Sequence, residues 1–224
     1  MAQKPLVVLI HGAWLGGYSW HKIVSALSRN GFPVLAPSLE MTAAAGLQAH
    51  VHQVWEAVEA SGADSLVFIG HSYGAVVASE VAARCKGAEK KLVVLDGFIA
   101  EAGKSIFESY PEAEEIFSSL ITAEQPDFIQ VLPADMLGLS EGAEQDWLKA
   151  EMCPMPVKGF AEVALYGCST MRDKYYIRFN QFPFFAATLD HAETIGWNTA
   201  EIDVPHMAIL THADAVIEKL LSII

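Results

Sequence analysis

In Gly70-His71-Ser72-Tyr73-Gly74 a serine stands between two glycines, each two residues away. A serine hydroxyl is a weak nucleophile until it is exposed and set beside a base. The G-x-S-x-G spacing meets the first need, because it lifts the hydroxyl onto a sharp turn between a strand and a helix. A side chain at either glycine would collide with neighbouring backbone in so tight a turn. The start of the following helix also favours negative charge as it develops. A Val/Phe/Ile run precedes the motif and an Ala/Val run follows it. Ser72 is therefore the candidate nucleophile.

Two other segments complete this chemistry. Acyl transfer needs N–H donors for the oxyanion. Tyr73, next after the serine, offers one backbone N–H. Ala13 offers the other, in His11-Gly12-Ala13-Trp14 directly after the first apolar run. His11 itself reads as a brace for that loop. The candidate base is His206, in Asp203-Val204-Pro205-His206-Met207. Of eight histidines, it alone follows the last strand and precedes the last helix, in the order Ser, acid, His. His21, His50 and His52 precede the serine. His71 is the variable elbow residue and is expected to point away from the nucleophile. His191 and His212 fall in helical patterns.

The elements that must position these groups can be read from periodicity. Leu6–Ile10, Pro33–Ala36, Ser65–Gly70 and Leu92–Leu95 read as strands, alternating with helices over Trp20–Arg29, Leu47–Ala60 and Ser72–Cys85. That alternation predicts an α/β fold with a mostly parallel sheet covered by helices on both faces. From Glu101 to Cys168 no strand is evident, so residues 99–171 are expected to form a small helical cap inserted into a core of residues 1–98 and 172–224. Lys174–Phe179 and Glu201–Val204 read as the returning strands, and Ala186–Ile195 as a helix between them. Thr211–Asp214 matches the capping box of a terminal helix over Ala213–Ile224.

Composition narrows the function. The 27 acidic and 14 basic residues give a net charge of −13, a field that repels nucleic acid. No stretch is apolar over the length a membrane span needs, and the start reads as a first strand, not a signal peptide. Three widely spaced cysteines, Cys85, Cys153 and Cys168, suit neither a disulfide framework nor zinc ligation. The expectation is a cytoplasmic protein with no metal site, and the sequence leaves a homodimer open.

The segments HGAWLGGYSWHKIVSAL, FIGHSYGAVVAS, VVLDGF and DVPHMAILTHA resemble the plant-type hydroxynitrile lyase and methylesterase branch of the α/β-hydrolases, with its bacterial esterase relatives. The resemblance covers most of the chain and fades in the cap. It implies an α/β-hydrolase fold and a cofactor-free serine site under a small cap. The lyases of that branch carry threonine after the first-motif histidine, where this chain has Gly12. Those acting on small cyanohydrins carry lysine after the base, where this chain has Met207. Without that ammonium a leaving cyanide lacks a cation. Both differences favour ester hydrolysis.

The resemblance also implies an acid after the strand Lys174–Phe179, but that loop reads Asn180-Gln181-Phe182-Pro183-Phe184. Asp96 is the best substitute. It closes the preceding strand, where some other α/β-hydrolases, such as pancreatic-type lipases, hold their acid. Asn180 is the uncharged alternative; Asp190 and Glu193 lie in a helix. The expected activity is serine carboxylesterase action on a small, mainly apolar ester, with Phe107, Phe117, Phe128 and Trp147 of the cap as candidate pocket walls. A lyase-like or C–C bond-cleaving enzyme, or a ligand-binding protein with vestigial hydrolysis, uses the same residues.

Overall fold

The computed structural model describes residues 4–86, 89–139, 142–169 and 171–224. Met1–Gln3 at the start of the chain, and Ser140, Glu141 and Thr170 of the expected cap, lie outside them. The first strand, β1 (Leu6–Ile10), is apolar and buried at all five positions, the pattern of a parallel strand covered on both faces. Helix α1 (His21–Arg29) follows, then β2 (Val34–Leu35) and α2 (Leu47–Ser61). Next come β3 (Ser65–His71), α3 (Gly74–Arg84) and β4 (Glu89–Leu95). All of α3 from Gly74 to Ala82 is buried, which explains its small Ala/Val side chains.

The insertion carries helices α4 (Ile106–Ser109) and α5 (Pro111–Ser118), strand β5 (Phe128–Ile129), helix α6 (Ala143–Glu151), strand β6 (Met155–Pro156) and helix α7 (Lys158–Ala161). The chain returns through β7 (Asp173–Phe179), α8 (Ala186–Thr194), β8 (Asn198–Ile202), α9 (Ala208–Thr211) and α10 (Ala213–Leu221). The main sheet runs β2-β1-β3-β4-β7-β8, every ladder parallel. Its order reverses at β1, so the carboxyl ends of β1 and β3 flank the crevice where such sheets bind ligands.

Four expectations need correction. The insertion does contain strands: β5 and β6 pair antiparallel, Phe128 with Pro156 and Ile129 with Met155. They are two residues long, too short to leave a period in the sequence. The last strand is Asn198–Ile202, not Glu201–Val204. As an edge strand it needs no apolar run, and the Val204 amide turns back to the Ile202 carbonyl at 3.0 Å. β4 begins at Glu89, where polar residues lie at the rim. Thr211 does not cap the terminal helix. It still belongs to α9, and its hydroxyl donates to the Met207 carbonyl at 3.2 Å. No described helix is long and apolar enough to cross a membrane.

Candidate active site

The elbow has the strain its motif demands. Ser72 has φ +53°, a region that side-chain-bearing residues rarely enter. A Cβ at Gly70 would come within 2.4 Å of the Ala75 Cα, and one at Gly74 within 2.3 Å of the Ile10 carbonyl oxygen. The glycines therefore let α3 and β1 close on the turn. Only two other described non-glycine residues have positive φ, Trp14 at +64° and Asp96 at +42°. All three follow the carboxyl ends of neighbouring strands. Such strain persists where surrounding structure over-determines it, and it concentrates at functional sites.

Asp96 and His206 meet. Asp96 Oδ2 lies 2.6 Å from His206 Nδ1, while Oδ1 accepts the Phe179 amide at 3.2 Å. The carboxylate is completely buried and the imidazole nearly so. Asn180 is exposed, as are Asp190 and Glu193, and none of the three bonds to His206. The β3–β4 register sets His71 beside Leu95, so the next residues, Ser72 and Asp96, leave adjacent strands together. The Ser72 amide donates to the Leu95 carbonyl at 3.2 Å, and the Asp96 amide to the Ile177 carbonyl at 2.8 Å.

Burial opposes charge on both members of the pair. It pushes His206 down to about 3, so the imidazole rests neutral. It also lifts Asp96 well above the ordinary carboxylate range, against the pull of the Phe179 amide and the Arg178 charge. With its proton on Nδ1 toward Asp96, the neutral ring keeps a lone pair on Nε2.

Ser72 and His206 share a cavity of about 240 Å³ whose other walls are apolar. Trp14, Phe98 and Phe117 line it, with Phe182, Phe184 and Phe185 from the loop after β7. Where the resemblance implies an acid, this chain therefore carries aromatic rings. Phe182 lies 4.4 Å and Phe185 5.8 Å from the His206 ring, centroid to centroid. Of the four aromatic residues expected to form the pocket, only Phe117 does. Phe107 stacks on Phe160 within the insertion at 5.6 Å, Phe128 belongs to β5, and Trp147 is 40% exposed against Tyr18. Three phenylalanines in four residues, 182 to 185, were the signal in the sequence for this wall.

The amides of Ala13 and Tyr73 donate to no group among the described residues. Both adjoin Ser72, Tyr73 in sequence and Ala13 across a shared small recess. Trp14 locks the Ala13 loop to the insertion: its indole N–H donates to the Ile129 carbonyl at 3.2 Å, and its carbonyl accepts the Cys153 amide at 3.1 Å. His11 braces the same loop by accepting the Leu39 amide at 2.9 Å. His71 does more than fill the elbow. Its Nε2–H donates to the His206 carbonyl at 2.9 Å, fixing the main chain of the candidate base.

A parallel sheet with these groups at its carboxyl edge defines an α/β-hydrolase, and the chain belongs to the alpha/beta hydrolase family, which matches residues 7–220. It is 27% identical over 237 residues to the "Carbendazim hydrolyzing esterase" of Nocardioides sp. (strain SG-4G), covering 95% of this chain and 97% of that protein. Two solved structures are similar in fold. An extracellular alpha/beta-hydrolase from a Paenibacillus species, described as sharing homology with Tobacco Salicylic Acid Binding Protein 2, superposes with a TM-score of 0.85 at 20% identity, over 98% of both chains. Polyneuridine aldehyde esterase superposes with a TM-score of 0.78 at 20% identity, over 99% of both.

Proposed function

We propose that this protein is a serine carboxylesterase acting on a small, mainly apolar ester through an acyl-enzyme intermediate. The observation that carries this reading is the 2.6 Å contact between Asp96 and His206 beside a cavity that also contains Ser72. Ser72 Oγ attacks the acyl carbon while His206 Nε2 takes its proton. Asp96 holds the imidazole in that tautomer and stabilises the imidazolium as it forms. The Ala13 and Tyr73 amides receive the oxyanion, since each is an N–H without an internal acceptor. His206 returns the proton to the leaving alcohol, and water then releases the acid by the reverse sequence.

The apolar cavity supports a substrate without charge, because no cation there offsets the cost of burying one. The esterase relative supports ester hydrolysis, and makes carbendazim a substrate worth assaying. Met207 after the base supplies no cation for a departing cyanide, which argues against a lyase. The Asp96 contact argues against a vestigial site, since it gives His206 the carboxylate that the loop after β7 lacks. A cytoplasmic setting belongs to the same proposal, supported by three unpaired cysteines.

Ser72→Ala tests the reading. Hydrolysis of a short p-nitrophenyl ester is expected to fall by about 10³-fold or more, with the fold intact. Labelling by a fluorophosphonate probe should vanish with it. Activity within tenfold of the unmodified protein, free of contaminating esterase, would overturn the assignment.

A further inference from the structure

Two buried histidines near the elbow take no part in the proton transfer. His11 follows β1 and His50 lies in α2, and neither exposes any surface. Their hydrogen bonds fix their tautomers. His11 Nε2 accepts the Leu39 amide at 2.9 Å, so its proton sits on Nδ1 and is donated to the Gly12 carbonyl at 2.8 Å. His50 has the opposite arrangement. Its Nε2 lies 2.7 Å from the Glu40 carbonyl, which can only accept. Its Nδ1 therefore accepts, and the donor is the Tyr73 hydroxyl at 2.7 Å.

These bonds make one continuous chain. It runs from the Gly12 carbonyl through His11 to Leu39, across the adjoining residue Glu40, and through His50 to the Tyr73 hydroxyl. Its two ends are significant. The Gly12 carbonyl and the Ala13 N–H belong to one planar peptide group, so holding the oxygen aims the N–H. At the other end, the hydroxyl anchors the side chain of the residue whose own N–H is the second donor. Tyr73 is packed at 5.2 Å from Phe160 and edge-on to His50 at 5.7 Å, with no surface exposed. We infer that His11 and His50 are positioning residues that tie both oxyanion amides to the Leu39–Glu40 segment and so hold them in mutual register. This rests on the proposed esterase reading, which assigns those amides their role.

The energetic logic is that of preorganisation. An oxyanion donor is worth about 10²–10³ in turnover when correctly aimed. A link that aims it, without touching substrate, should carry a fraction of that and act on the transition state alone. The test uses Tyr73→Phe, which deletes one hydroxyl, His50→Leu, the double variant, and His50→Gln. A glutamine amide can donate to Glu40 and accept from Tyr73, as the imidazole does. His52→Ala, on the exposed side of α2, is the control. The readouts are kcat, KM and the inhibition constants of two ketones of equal carbon skeleton. In a trifluoromethyl ketone the Ser72 oxygen adds to the carbonyl carbon, its proton passes to His206, and the carbonyl electrons become an oxyanion. The plain methyl ketone stays trigonal and reports ground-state binding.

Tyr73→Phe and His50→Leu are each expected to lower kcat about tenfold and weaken the trifluoromethyl ketone about tenfold. KM and methyl ketone binding should stay within about twofold. The double variant should be no worse than either single one, because both cut the same link. His50→Gln should recover most of the loss, and His52→Ala should lose nothing. Unchanged kcat and ketone affinity in Tyr73→Phe would overturn the inference. Equal weakening of both ketones would do so too, since that describes general loosening of the pocket. Failure of the trifluoromethyl ketone to inhibit the unmodified protein would instead remove the esterase reading underneath.

Discussion

Asp96→Asn changes one atom in a buried site, and both of its orientations are wrong. Asp96 accepts twice, from His206 Nδ1 at 2.6 Å and from the Phe179 amide at 3.2 Å. An asparagine with its oxygen toward His206 sets its NH₂ against the Phe179 N–H, donor against donor. Turned over, it donates to Nδ1, moves the imidazole proton to Nε2 and leaves no base facing Ser72. Loss of a charge-assisted hydrogen bond costs about 1.5–3 kcal/mol, and a buried group left unsatisfied about 1–3 kcal/mol. Together these imply about 4 kcal/mol in the transition state, or about 10³ in rate. A serine protease loses about 10⁴ for the same exchange. Asn180 is exposed and does not bond to His206, so it offers no substitute, and Asn180→Ala should stay within twofold. The assay is kcat/KM on a p-nitrophenyl ester, with thermal unfolding to verify the fold. Asp96→Asn within tenfold of the unmodified protein would refute this reasoning. A crippled Asn180→Ala beside it would transfer the role to Asn180.

Three further outcomes follow from packing and charge. A Cβ at Gly12 would lie 3.0 Å from the Ser72 Cβ and 3.1 Å from His71 Nδ1, so Gly12→Thr should displace the nucleophile and lower ester turnover about tenfold; an unchanged kcat would contradict it. Glu80 is fully buried in α3 and accepts the Leu165, Tyr166 and Gly167 amides at 2.7, 2.9 and 2.6 Å, tying the end of the insertion to the helix that follows Ser72. Glu80→Ala should cost about 3 kcal/mol, a fall of about 6–12 °C in Tm; calorimetry showing no change would remove that tether. Burial lowers His11 to about 4, His206 to about 3, and His50 and His71 in the same direction. Below pH 6.5 the unfolded chain thus binds more protons at these sites, and their stabilisation, whole above pH 6.5, is lost as pH falls toward the folded values. His11 alone accounts for about 2 kcal/mol at pH 5, while the raised Asp96 acts with opposite sign. Denaturant midpoints should therefore drop steeply between pH 6.5 and 5, and a flat profile would show the histidines are not buried neutral.

The parts of the site that could be read in the sequence are those whose chemistry is local. A strained serine turn needs Gly70 and Gly74 within five residues, and a base needs a strand end before it and a helix after it. Context mattered more than the pentapeptide. Gly138-Leu139-Ser140-Glu141-Gly142 repeats the spacing, but the residues before it, Ala134–Leu137, form turns and no strand. Strands of the sheet interior were legible because burial on both faces forces apolar runs. β5 and β6, two residues long and outside that sheet, were not, and the polar edge strand β8 was read three residues late. Asp96 could be argued because the strands of a parallel sheet all end at one edge: a residue closing the strand after the serine's emerges at the same edge as Ser72. No such rule reaches His50, whose partner Tyr73 is 23 residues on, or the Phe182–Phe185 loop, whose rings replace an expected carboxylate. Both depend on how helices and loops pack over the sheet, which side-chain volume and burial decide. The rings and the displaced acid are connected. With the Asp96 carboxylate directly after β4, the loop after β7 is relieved of holding a charge against His206. It can close over the imidazole with aromatic rings, and that closure contributes to the burial that keeps His206 neutral.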